Sequence, residues 1–325
     1  MANYRVVLTD ARHSSYEIEE TILQEIGAEL IRCNCITEEE VIAACADADG
    51  ILLDMAPMTA ACIGALRRCK VINRYGVGYD NVDVAAASRK GIQVCNVPDY
   101  CALDVSDHAL ALLMGCLRQT ALRDRLVRQG QWNIQAGPSF RLQGKTLGVL
   151  GAGRIARELI RKVQGFGFRE ILAYDPYVSE EALAAIGAVK ATKEDVLQRA
   201  DFISLHMPVT PETRGMINEK ALSLMKSTAI LINTSRGPLV DDAALLQALR
   251  QHRIAFAGLD THCVEPLPKD SPYLLLDNVL LTDHTAYNTA EGVVELKTKS
   301  AQNVADVLAG RPARYPVNHL EEVRI

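Results

Sequence analysis

Three polar segments each begin where a strand-like apolar run gives way, and they carry the residues best suited to chemistry. They are Asn233-Thr234-Ser235-Arg236-Gly237-Pro238, Gly258-Leu259-Asp260-Thr261-His262-Cys263-Val264-Glu265-Pro266, and Thr282-Asp283-His284-Thr285-Ala286-Tyr287. Together they offer an arginine, a carboxylate and a histidine. That set fits hydride reduction of a 2-keto acid, which needs the substrate carboxylate held, the carbonyl polarised and a proton delivered as the hydride arrives. Arg236 can do the first two through its fixed fork of donors. His284 can give the proton in reduction and take it back in oxidation, since an imidazole titrates near neutral pH. Glu265 is expected to orient His284 and to favour its charged form. Each residue taken alone also has a plainer reading, Arg236 and Glu265 as a structural pair and His284 as the partner of a loop. His262, Cys263 and His284 lack the fourth ligand and compact spacing of a metal site, so no metal is expected.

A second constellation lies upstream. Gly151-Ala152-Gly153-Arg154-Ile155-Ala156 directly follows the apolar run Thr146 to Leu150 and opens the helical pattern Ile155 to Val163. Gly151 permits a tight strand-to-helix turn, Gly153 lets backbone approach a pyrophosphate, and Ala156 allows close helix packing. The helix N-terminus at Arg154 and Ile155 supplies oriented amide donors. Asp175 ends the next strand, 24 positions after Gly151, where a carboxylate can accept hydrogen bonds from the adenosine ribose. Its charge also repels a 2'-phosphate, so NAD rather than NADP is the expected cofactor.

The elements that must position these groups follow a βα rhythm. Arg5 to Leu8, Glu29 to Ile31 and Gly50 to Leu53 read as strands, with helices over Glu17 to Ile26 and Glu38 to Ala46. The alternation continues through Ile63 to Leu66, Val71 to Arg74, Val84 to Lys90 and Gln93 to Val94. After Pro98 a long apolar helix runs from Val105 to Gln119, with Asp104, Asp107 and His108 as its polar start. Six further strands follow, at Thr146 to Leu150, Ile171 to Tyr174, Phe202 to Leu205, Ala229 to Asn233, Phe256 to Leu259 and Val279 to Leu281. Such alternation predicts an α/β protein with two doubly wound parallel sheets. A last helix spans Ala290 to Leu308, free to pack back on the first domain, and the chain then trails through Gly310, Pro312 and Pro316 into an acidic end.

Composition bounds the answer. The 325 residues suggest two domains, 49% of them are apolar, and 35 basic against 40 acidic side chains leave a net charge of −5. That balance gives no reason to expect nucleic acid as a partner. The longest apolar run, Ala109 to Leu117, is too short to cross a membrane. The N-terminus lacks the long apolar region of a signal peptide, which predicts a cytoplasmic protein. Nine cysteines, an odd number spread through apolar contexts, read as reduced core thiols.

On these motifs the chain resembles the D-isomer-specific 2-hydroxyacid dehydrogenase family over essentially its whole length. The glycine motif, Leu205-His206-Met207-Pro208 through Thr213, the Asn233 to Gly237 segment, and the spacing of Asp260, Glu265 and His284 carry the resemblance. It implies that Arg236, Glu265 and His284 are catalytic. It also implies that Thr234 and Asp260 face the nicotinamide side of the cofactor, with His206, Pro208 and Thr213 nearer its adenosine and pyrophosphate. Arg74-Tyr75-Gly76-Val77-Gly78-Tyr79-Asp80-Asn81-Val82-Asp83 resembles the family loop whose backbone binds the substrate carboxylate, which gives Tyr75, Gly76, Val77 and Gly78 as substrate-binding residues. The implied architecture is a Rossmann NAD-binding domain (101–286) inserted into a flavodoxin-like substrate domain (1–100 and 287–325), assembled as a homodimer through the nucleotide domains. Met55, Ala56, Tyr75, Tyr100 and Tyr287 are candidates to line the substrate pocket, and their apolar or phenolic character argues against a phosphorylated substrate. A chain of this length is also expected to lack the appended regulatory domain of some relatives.

Asp283 stands where the family commonly has proline, and Thr261-His262-Cys263 replaces a usual valine, aromatic and acidic stretch. The segments Cys95-Asn96-Val97-Pro98 and His284-Thr285-Ala286-Tyr287 resemble the C-terminal-binding-protein-like branch, which includes transcriptional corepressors. The alternative reading is therefore an NAD-responsive protein-binding module.

Overall fold

The computed structural model describes residues 3–137 and 139–320. Glu321 and Glu322 of the acidic chain end lie outside them. The chain divides into two compact units, one made of Met1–Tyr100 with Thr289–Ile325, the other of Cys101–Asn288.

The first unit begins with β1 (Tyr4–Leu8), α1 (Glu17–Gln24), β2 (Ala28–Arg32), α2 (Glu38–Cys45), β3 (Gly50–Leu53), α3 (Ala60–Ala65), β4 (Val71–Arg74), α4 (Val84–Arg89) and β5 (Gln93–Cys95). Local signals set several of these bounds. Thr37 and Glu40 close a capping box at the start of α2, and the Asp83 side chain caps α4. The five strands run parallel in the order β2-β1-β3-β4-β5. This is the doubly wound order of flavodoxin-like folds, with the strand order reversing between β1 and β3.

The second unit contains α5 (Ala102–Arg118), α6 (Thr120–Arg128), β6 (Thr146–Leu150), α7 (Arg154–Lys162), β7 (Glu170–Tyr174), α8 (Glu180–Ala184), β8 (Val189–Lys190), α9 (Lys193–Arg199), β9 (Phe202–Leu205), α10 (Glu219–Leu224), β10 (Ile230–Asn233), α11 (Asp242–Arg250), β11 (Phe256–Leu259) and β12 (Val279–Leu281). Its seven strands are all parallel, in the order β12-β11-β10-β9-β6-β7-β8. The order reverses between β6 and β9, the Rossmann pattern with an added strand at one edge. Both faces are covered, and alternate residues sort onto them. Leu231 of β10 joins the core that holds Leu150, Ile203 and Leu245, while its neighbours Ile230 and Ile232 join the core that holds Leu112, Val149 and Leu159. A period of two in side-chain direction, with both faces buried, is why these strands read as continuous apolar runs.

The chain then returns to the first unit as α12 (Ala290–Leu308), which lies against α1, β3 and β4. It brings a buried charge with it. Lys297 sits 3.6 Å from Glu19 of α1, both side chains being almost wholly buried. No helix among the described residues is long and apolar enough to cross a membrane.

Candidate active site

In the second unit the residues singled out from sequence cluster beyond the carboxyl ends of the strands, where open α/β sheets place their ligands. The turn after β6 starts at Gly151, whose φ of +95° lies in the region that favours glycine. A Cβ there would stand 2.5 Å from the carbonyl oxygen of His206, which follows the adjacent β9. Gly153 differs, since a Cβ there would meet nothing within 4 Å. It is the N-cap of α7, and no side chain caps that end. The first-turn amides of Arg154 and Ile155 thus open onto space, as an anion site at a helix N-terminus requires. Asp175 is half-buried and binds this turn directly, its Oδ2 accepting from Ala152 N at 2.8 Å and its Oδ1 from Tyr177 N at 2.9 Å.

Two further residues at the strand ends hold unspent hydrogen-bonding capacity. Thr234 Oγ1, after β10, and His206 Nδ1 are buried without a partner among the described residues. The other His206 nitrogen, Nε2, pairs with Ser204 Oγ at 2.8 Å. Burial pushes this imidazole down to about 4. An uncapped helix start, an open position at Gly153 and two orphaned polar atoms together fit a dinucleotide. Thr213 and Pro208 close the neighbouring loop on each other, with Thr213 Oγ1 donating to Pro208 O at 2.6 Å.

Arg236 lies just past β10 in a turn closed by Asn233, whose Nδ2 donates to Arg236 O at 2.8 Å. Its Nη1 donates to Ser235 O at 2.8 Å. The next residue, Gly237, packs so tightly that a Cβ would fall 2.1 Å from the carbonyl carbon of His262. The arginine turn and the loop after β11 therefore abut. Within that loop Glu265 Oε1 accepts from His262 N at 2.8 Å, and Glu265 Oε2 pairs with His284 Nδ1 at 2.7 Å. Burial alone would raise the Glu265 carboxyl, but hydrogen bonds from His284 and His262 outweigh it and hold the group below the usual carboxylate range. Because the bond uses Nδ1, the nitrogen left for a substrate is Nε2. The His284 ring also meets Tyr287 edge to face, with centroids 6.4 Å apart.

His284 sits at φ +57°, a conformation that costs a side chain larger than glycine about 1–2 kcal/mol. Asp260 is what opposes that cost. The sequence resemblance put this residue on the nicotinamide side, but the structure gives it no exposed surface. Its backbone oxygen accepts from His284 N at 2.8 Å. Its Oδ1 accepts from Thr282 Oγ1 at 2.6 Å and Thr285 N at 3.0 Å, and its Oδ2 from Ala286 N at 3.1 Å. Asp260 is therefore the anchor of the 282–286 turn, because each carboxylate oxygen is already committed to it. Burial opposes its ionisation, and hydrogen bonds led by His108 and Thr282 more than offset that, so the carboxyl stays below its ordinary range. His262 ties the same turn from the other side through Nε2 and Thr282 O, 2.9 Å apart. Asp283 is exposed and accepts from Thr285 Oγ1 at 3.0 Å.

The first unit supplies a different surface. Tyr75 does not offer its phenol to a ligand as expected. That side chain is buried, and its hydroxyl donates to Glu19 Oε1 at 2.9 Å. What the loop offers is backbone. The carbonyls of Gly76 and Val77 accept from Val97 N and Asn96 Nδ2, at 2.9 and 2.7 Å. Among the described residues the amides of Gly76, Val77 and Gly78 donate no hydrogen bond. The amides of Asp54, Met55 and Ala56, by contrast, are all taken by Asp10. The reversal point between β1 and β3 is thus filled by the chain's own carboxylate.

His108 is the site residue that the sequence reading missed. It was visible only as part of a polar helix start, and nothing in α5 itself signals that its Nε2 reaches Thr282 Oγ1 at 2.9 Å.

Comparison with known proteins bears on this geometry. The family model described as "D-isomer specific 2-hydroxyacid dehydrogenase, NAD binding domain" matches residues 110–286. A D-3-phosphoglycerate dehydrogenase of Methanocaldococcus jannaschii is 37% identical over 97% of this chain, which spans 59% of that protein. A glyoxylate reductase of Korarchaeum cryptofilum is 40% identical over 81% of this chain and 79% of its own length. Among solved structures, a Thermus thermophilus protein superimposes with a TM-score of 0.87 at 32% identity, covering 97% of this chain and 100% of its own.

Proposed function

Because the chain belongs to the D-isomer-specific 2-hydroxyacid dehydrogenase family, we propose that it reversibly reduces a small 2-keto acid to the D-2-hydroxy acid with NAD as its cofactor. The observation that carries this reading is the 2.7 Å bond between Glu265 and His284, held at strand ends of the unit that also presents the open N-terminus of α7. Gly151, Gly153, Arg154 and Ile155 would receive the pyrophosphate, and the half-buried Asp175 the adenosine ribose. His206, Pro208, Thr213 and Thr234 would line the rest of the dinucleotide's path. Reduced nicotinamide, when bound, supplies the hydride. Arg236 would grip the substrate carboxylate and polarise the carbonyl with the rest of its fork. The amides of Gly76, Val77 and Gly78 in the first unit would offer donors to a carboxylate. His284 would release the Nε2 proton to the carbonyl oxygen, and the ionised Glu265 would stabilise the imidazolium before that transfer and fix the ring afterwards.

The substrate side chain in this reading is uncharged. Asp10 fills the amide nest at 54–56, and Arg74 lies 3.8 Å from Asp54, so carboxylates already face the amides and the guanidinium that would greet a phosphate. NADH oxidation measured with glyoxylate, pyruvate, hydroxypyruvate, larger 2-keto acids and 3-phosphohydroxypyruvate tests this. Turnover is expected with members lacking phosphate, and the phosphorylated one should have the lowest kcat/KM. Failure of every member while NAD still binds would overturn the reading.

The same reading makes the protein a homodimer in the cytoplasm. α6 buries none of its nine residues, and beyond it Trp132 and Ile134 stand 86% and 82% exposed. Apolar surface of this kind is what a second copy would cover.

A further inference from the structure

We propose that His108 is a positioning residue for His284, acting through a relay of hydrogen bonds that crosses from α5 to the turn after β12. The inference rests on the reading of His284 as the proton donor. Thr282 Oγ1 gives its hydrogen to Asp260 Oδ1, so it can only accept at the 2.9 Å contact with His108 Nε2. The network thereby assigns the hydrogen of the His108 ring to Nε2. The same nitrogen lies 3.4 Å from Asp260 Oδ1. Asp260 in turn accepts from His284 N through its backbone oxygen and from Thr285 N and Ala286 N through its carboxylate, which with Thr282 Oγ1 holds residues on both sides of the strained position. His108 is the only member of this relay that comes from outside the loops after β11 and β12.

The base of the relay is closely packed. Gly258 of β11 lets α5 approach so closely that a Cβ there would lie 3.1 Å from Leu112 Cβ and 3.3 Å from Cys116 Sγ. Leu112 and Cys116 are one and two turns along α5 from His108, on its buried side. A helix pressed onto the strand that ends at Asp260 keeps His108 in fixed relation to that carboxylate. Losing the imidazole removes the donor that holds Thr282 Oγ1 from the α5 side and the ring nitrogen 3.4 Å from Asp260 Oδ1. The 282–286 turn can then relax from the conformation that aims His284.

His108→Ala and His108→Gln test this, because the glutamine amide can still donate to Thr282. With a keto acid that the wild type turns over, His108→Ala should lose about tenfold or more in kcat, the scale of a small misplacement of a reacting group. Its KM and its NAD affinity should stay within about twofold. Amide hydrogen exchange at residues 284–286 should quicken in the alanine variant, and the glutamine variant should recover both kcat and protection. Wild-type kcat and wild-type exchange in His108→Ala would overturn the proposal, as would a glutamine variant that folds yet restores neither. If the wild type turns over no 2-keto acid, the reading of His284 fails, whereas the exchange comparison still decides whether His108 holds the turn.

Discussion

The catalytic proposal depends on where individual side chains keep their charge. Glu265 is a half-buried and Asp260 a buried carboxyl, both held ionised by donors, and the imidazole of His206 is held neutral by burial. The histidine has a measurable consequence. In the unfolded chain it binds a proton as the pH falls through its ordinary value of 6.5, but in the folded protein only near 4. The unfolded state therefore gains protons first, and stability drops progressively across that window by up to about 3 kcal/mol. Below it the two carboxyls add their own loss, since each is depressed in the folded state and gives up its contribution as the pH falls through its folded value. His206→Gln should flatten the fall in unfolding free energy between about pH 7 and about pH 4 in urea titrations, and an unchanged slope would contradict the assignment. At this scale the sequence was legible where chemistry follows residue type. Glu265 and His284 are legible as a pair, and the structure joins them at 2.7 Å. The inward turn of Asp260, the buried phenol of Tyr75 and the reach of His108 were not legible, since each depends on contacts between segments far apart in the chain.

Elements behaved in the same way. All six strands read in the second unit are present, because strands buried on both faces announce themselves as unbroken apolar runs. β8 escaped, being two residues long with both side chains exposed. α6 escaped because it has no buried face to impose a helical period. The glycine motif does form a strand-to-helix turn at 151–153, and the structure separates its two glycines. Gly151→Ala forces a side chain into the left-handed region and against His206 O, so it should cost about 2 kcal/mol or more and weaken NAD binding together with the fold. Gly153→Ala meets no neighbour, and its cost should be below about 1 kcal/mol, yet it should weaken NAD binding markedly because the added methyl points where a pyrophosphate would lie. Thermal melts paired with NAD titrations separate the two. Equal loss of stability in both variants would contradict the open position at Gly153.

For the whole molecule, the length of the chain suggests only a number of domains, whereas the family resemblance implies an interrupted plan. The first unit is completed by residues that follow Asn288, and α12 supplies the buried Lys297 that answers Glu19 behind the Tyr75 loop. Assembly is the property least visible in a sequence, because an exposed tryptophan looks the same as a buried one until the fold is known. Light scattering should give about twice the chain mass of 35.5 kDa, and Trp132→Glu combined with Ile134→Glu should give the single-chain mass. A wild type already at the single-chain mass would refute the dimer. The central claim remains the proton transfer, and the His284→Ala variant tests it most directly. With a keto acid that the wild type reduces, kcat should fall by about 100-fold or more while NAD affinity stays within about twofold. Turnover equal to that of the wild type would contradict the account.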